Sequence, residues 1–138
     1  VMSLNPNTFT VHDISDFPFV LFNSEAAQPG YASQWEREMI LLAKNDKAFV
    51  IVYDQHRSEE DHDDRKHRGI WLKHNKSELG RLCKCLISVE PDEARRHALK
   101  ALSEMATKAF GIPHEVVATR DDALQIAHSS LGRRSGSC

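Results

Sequence analysis

Ala48-Phe49-Val50-Ile51-Val52-Tyr53 constrains this chain more than any other segment. It is an unbroken apolar run, rich in β-branched and aromatic residues, and Asp54 closes it. Side chains of a strand alternate between the two faces of a sheet. A strand apolar at every position is therefore one that is covered on both faces, as in the middle of a parallel sheet. Covering both faces of such a strand calls for helices, which points to a layered α/β protein.

The flanking sequence supplies the other elements. Thr8 to Ile14 alternates and reads as a half-buried strand. After the polar break Ser15-Asp16, Phe17 to Phe22 reads as a second strand of a hairpin, with Pro18 near its start. Tyr31, Trp35, Met39 and Leu42 fall on one helical face, which predicts a helix over Tyr31 to Lys44 with Glu36, Arg37 and Glu38 on its other side. A second helix is expected from near Ser58 to Leu79, stopped at Gly80. Leu82 to Val89 forms a strand placing Cys83, Cys85, Ile87 and Val89 on one face. A helix follows Pro91, burying Ala94, Ala98, Ala101 or Leu102, Met105 and Ala109, and Gly111-Ile112-Pro113 ends it. His114 to Ala118 is the last strand, and a final helix carries Ala123, Leu124, Ala127 and Leu131. The expected fold is a mixed, mostly parallel five-stranded sheet with four helices, in the order β-β-α-β-α-β-α-β-α.

Composition narrows the function classes. The chain has 138 residues, 41% of them hydrophobic and 28% charged, which suits one domain with an ordinary core. The domain is expected over 8–131, with 1–7 and 132–138 as flexible termini. A formal net charge of −2 supplies no general attraction to nucleic acid. No apolar stretch approaches the roughly 20 residues of a membrane span, and Val1 to Pro6 lacks the pattern of a secretory signal. Three cysteines, Cys83, Cys85 and Cys138, make a poor disulfide framework and suit a reducing, cytoplasmic setting.

The element order resembles that of the STAS domain, the fold of anti-sigma factor antagonists, and of the related SpoIIAA-like proteins. Glu115-Val116-Val117-Ala118-Thr119-Arg120-Asp121-Asp122-Ala123-Leu124 looks like the closing strand, polar turn and helix start of that family, and Phe49 to Asp54 looks like its central strand. The resemblance covers roughly residues 8 to 131. It implies a non-catalytic module that docks on a protein partner, or on itself, through the second helix and the loop before it. The regulated members carry Asp-Ser-Ser/Thr-Gly at the start of that helix. Here Gln55-His56-Arg57-Ser58-Glu59-Glu60 stands there, with Ser58 as its hydroxyl and no glycine after it.

Candidate binding residues are Arg65, Arg68 and Trp71, a basic and aromatic face on the second helix, together with Ser58 and Trp35. A second reading is a carrier for a small apolar molecule or lipid, in a pocket between sheet and helices lined by Tyr31, Trp35, Trp71 and Phe110. A third is a metal-dependent enzyme using His56, Glu60, His62, Asp63, Asp64 and His67, although His62 and His67 are five apart and diverge on a helix. No Ser-His-Asp order, phosphate loop or Cys-x-x-Cys pair is present, and no cofactor is implied.

Overall fold

Among the described residues, five strands carry the fold: β1 (His12–Asp16), β2 (Phe19–Phe22), β3 (Phe49–Tyr53), β4 (Cys83–Val89) and β5 (His114–Val117). Five α-helices among the described residues connect or follow them: α1 (Ala32–Lys44), α2 (His62–His74), α3 (Lys76–Leu82), α4 (Glu93–Phe110) and α5 (Arg120–Gly132). The structure, a computed structural model, describes residues 6–53 and 62–132. Most of the two termini, Cys138 among them, and the 54–61 segment with His56, Ser58 and Glu60 lie outside the described residues.

The strands form one sheet in chain order, β1-β2-β3-β4-β5. β1 runs antiparallel to β2, and every later pair is parallel. This is the expected mixed, mostly parallel sheet, with β3 at its centre and residues 49 to 52 buried. The hairpin turn falls later than Ser15-Asp16, because β1 continues through Asp16 and Phe17-Pro18 make the turn.

Strand order decides where the helices go. Each crossover moves one strand along in the same direction, and crossovers of this kind are right-handed, so all of them land on one face of the sheet. Side chains of α1, α2 and α3 accordingly share one core with Phe49, Ile51 and Cys83. The other face, carrying Val50, Val52, Cys85 and Ile87, is covered among the described residues by α5 through Ala123 and Ala127.

Two register details differ from the sequence expectations. Phe49 pairs with Cys83 while Val50 pairs with Cys85, so β4 gains a residue at Lys84 and its pleat is reset. Cys83 therefore points into the core under α1 to α3, and Cys85, Ile87 and Val89 point to the α5 side. The single helix expected through Leu79 is two helices. Asn75 divides them: its side-chain amide donates to the Trp71 carbonyl at 2.9 Å, and its own carbonyl starts α3. Gly80 lies within α3 and does not end it.

The crowded face has a geometric consequence. The parallel strands β2 to β5 span about 14 Å at normal strand spacing. Three helices laid side by side need about 20 Å between the outer axes. The last crossover helix is displaced toward the sheet edge: α4 packs mainly on β5, and none of its residues is fully buried. The alanine-rich stripe expected to face the core instead faces out, with Leu102 60% and Met105 67% exposed. Leu99, Ser103, Ala106 and Phe110 turn inward in its place.

Candidate functional site

Displacement of α4 leaves a cavity of about 330 Å³ between the helices and the sheet, partly open to solvent. Its floor is Ile51 and Tyr53 of β3 with Leu86 and Ser88 of β4. One wall is Trp35 and Met39 of α1 with Arg65, Arg68 and Leu72 of α2. The other wall is Leu99, Leu102, Ser103, Ala106 and Phe110 of α4, and Ile112 and His114 close one end. This is the usual character of a small-molecule site, mostly apolar with a few polar groups.

The walls are anchored from outside the cavity. α1 has no side-chain cap of its own at Tyr31. Asp64 of α2 supplies it, its buried carboxylate accepting the Gly30 amide at 2.8 Å and the Ala32 amide at 3.1 Å. A carboxylate at that end also meets the favourable pole of the helix dipole. This bond fixes α2 against α1, and with it the arginines at the cavity. Arg68 holds its guanidinium 5.6 Å from the centre of the Trp35 ring, a cation–π arrangement. The Trp35 indole N–H is buried and has no acceptor among the described residues.

At the far end, the His114 Nδ1–H donates to the Ile112 carbonyl at 2.7 Å. Burial pushes the His114 pKa below its ordinary value, and that hydrogen bond only partly offsets it. The imidazole is thus neutral at pH 7. Cys83 also lines the cavity, and burial pushes its thiol pKa far up, with the neighbouring Cys85 adding to the effect. A thiol held protonated is no nucleophile.

Three of the five candidate binding residues, Arg65, Arg68 and Trp35, meet at this cavity. Trp71 does not line it. Its ring meets Trp35 edge-on at 5.4 Å, and it faces a separate groove with Glu36, His67, Ile70 and His74. Ser58 lies outside the described residues. Of the four aromatics expected to line a pocket, Trp35 and Phe110 do so, and Tyr31 packs on Phe22 instead.

The residues weighed as metal ligands are drawn apart. Asp64 is taken up by the Gly30 and Ala32 amides, and His67 Nε2 is 2.7 Å from Glu36. Among the described residues no group of three or more His, Cys, Asp or Glu side chains is placed to hold a metal. No helix among them is long and apolar enough to cross a membrane.

A second polar feature lies on the core side of α1, away from the Glu36 and Arg37 side where it was expected. Glu38 is fully buried. Its carboxylate accepts the amides of Thr10, Val11 and His12 at 2.8, 3.0 and 2.8 Å, the Gln34 side-chain amide at 2.8 Å, and His12 Nδ1–H at 2.8 Å. Burial pushes its pKa up, but the hydrogen bonds from His12, Val11, Thr10 and Gln34 outweigh it and hold the group at about 2. Spacing contained the signal: Glu38 is three residues after Trp35 and seven after Tyr31, on the buried stripe.

Family models, curated proteins and solved structures all fail to give a match to this chain.

Proposed function

We propose that this chain is a binding protein that holds a small, largely apolar molecule between its sheet and its α4 wall. The observation that carries the reading is the cavity itself: about 330 Å³, lined by apolar side chains from three helices and two central strands. Protein interiors pack with few voids larger than a water molecule. An apolar hollow of this size, reachable from solvent, is stabilised by an occupant that recovers the missing contacts. The STAS-like element order supports a module that works by binding. It also supports protein docking through α2, and Ile70, 48% exposed beside Trp71, is the residue there that favours it. Arg65 and Arg68, expected on that docking face, line the cavity instead.

Native mass spectrometry of protein produced in cells tests the reading. The unmodified chain is expected to carry a small adduct, and Ala106→Phe, which fills the cavity from α4, is expected to lose it. Bare protein in both cases, with no binding of an apolar fluorophore sensitive to the same substitution, overturns the proposal.

A further inference from the structure

One hydrogen bond at the cavity wall is left unmade. Resting on the reading above, we propose that the occupant is an uncharged molecule with an apolar body and a carbonyl oxygen that accepts the indole N–H of Trp35. Trp35 is 1% exposed and lines the cavity from α1. Its N–H has no acceptor among the described residues. Buried polar groups in folded proteins have a partner in the great majority of cases, so one that lacks it calls for an explanation. The rest of the ring is engaged. Arg68 stands over its face, with the guanidinium 5.6 Å from the centre, and Trp71 meets it at 85° and 5.4 Å. The open space that the ring borders is the cavity, so the acceptor comes with whatever fills it. A carbonyl oxygen on an apolar body satisfies the N–H and recovers the missing apolar contacts together, which a lone water does not.

Two groups on the wall show how the cavity treats charge. Cys83 ionises to an anion and His114 to a cation. Burial is the largest cause of the shift in both, pushing the thiol pKa far up and the imidazole pKa down. Each is thereby held neutral at pH 7. A place that disfavours charge of either sign on its own side chains disfavours it on an occupant as well. Arg68 is already engaged, over the Trp35 ring and in a further interaction, and does not wait for an anion. Volume sets the size of the molecule: at about 30 Å³ for a water-sized group, a hollow of about 330 Å³ takes about eleven of them.

Displacement of an apolar fluorophore from delipidated full-length protein compares three probes of that size: 2-nonanone, 2-methyl-1-nonene, in which a methylene replaces the oxygen, and nonanoate. The ketone is expected to bind about tenfold tighter than the olefin, the size of one hydrogen bond, and about tenfold or more tighter than nonanoate. Trp35→Phe keeps a ring and removes the N–H, and is expected to bring ketone and olefin level. Nitrogen NMR of the unmodified protein guards against a folding artefact. The Trp35 indole N–H signal, told from that of Trp71 by Trp71→Phe, is expected to move downfield with the ketone and not with the olefin. Equal binding of ketone and olefin, or a Trp35 signal that ignores the ketone, overturns the carbonyl contact and leaves the cavity reading standing. Tighter binding of nonanoate overturns the uncharged occupant. Failure of all three to displace the fluorophore overturns the ligand class. If the fluorophore itself does not bind and protein from cells carries no adduct, the cavity reading falls with it.

Discussion

The two faces of one sheet are built to different standards. On the α5 side a single helix lays Ala123 and Ala127, both fully buried, against Val50, Val52, Cys85 and Ile87. Small residues let the helix come close, and the interface is closed by direct packing. On the opposite side α1 to α4 compete for a strip of sheet too narrow for them, and the surplus appears as a cavity under α4. That side also holds the buried polar knot of Glu38 and His12. One face is finished mainly with apolar surface, with His128 of α5 resting edge-on against Phe19 at 4.8 Å. The other is held at one end by a charged network and left open at the other, so the face with more helices has the room.

The sharpest way to break this comparison is to remove the knot. Glu38 binds the chain before β1 to α1, and a glutamine there keeps the size but has one acceptor oxygen and turns donors toward donors. Removing the charge that several buried donors share costs about 1.5–3 kcal/mol. Urea unfolding of Glu38→Gln is expected to show a loss in that range. The sign of the pH effect follows from the lowered pKa. The folded carboxyl titrates at about 2 instead of 4.5, so its stabilisation is complete above pH 4.5 and is lost as pH falls toward 2. The melting midpoint of the unmodified protein is expected to drop across that window, and the drop is expected to shrink in Glu38→Gln. A variant as stable as the parent at pH 7 means the two faces are held alike.

What could be foreseen follows the same division. The central strand, the mixed mostly parallel sheet and the alternation of elements were legible because apolar periodicity reports burial, and β3 is buried on both faces. Arg65 and Arg68 were legible as candidates because they form a basic face beside Trp71 on the second helix, and Trp35 because it is a large aromatic on the core-facing stripe of the first. Their meeting place was not, since it depends on how far α4 is pushed aside. Two stripes compete on that helix, Ala98-Leu102-Met105-Ala109 and Leu99-Ser103-Ala106-Phe110, and both have helical spacing. Periodicity alone cannot choose between them; the greater bulk of Phe110 was the only local hint. The division at Asn75 and the added residue at Lys84 each turn on a single hydrogen-bonding or register event, below the scale at which a hydrophobic pattern speaks.

The same enlargement made on both faces sharpens the comparison further. Ala127 is fully buried, so Ala127→Leu drives extra carbons into a packed surface, and overpacking of this kind costs about 1–3 kcal/mol. Ala106→Leu adds the same carbons to the cavity wall and is expected to stabilise the ligand-free protein by about 0.5–1 kcal/mol. Denaturant midpoints of the two variants are expected to move in opposite directions. A loss of similar size for both would mean that the α4 side is as tightly packed as the α5 side.

The smallest expected effect tests where α4 stands. Leu102 and Met105 are exposed, so replacing Met105 with glutamine removes an apolar group that contributes little to the fold. Substitutions at such positions stay within about 0.5 kcal/mol. A helix that instead rocked inward to shut the cavity would bury part of this stripe, and Met105→Gln would then cost more than that. The effect would also grow when the cavity is filled, because closure would be coupled to occupancy. Comparing the melting midpoints of the unmodified protein and Met105→Gln, with and without the apolar fluorophore, separates a fixed wall from a moving one. An unchanged difference between the two proteins under both conditions is the result expected of a helix held in place by β5, with its apolar face turned to water throughout.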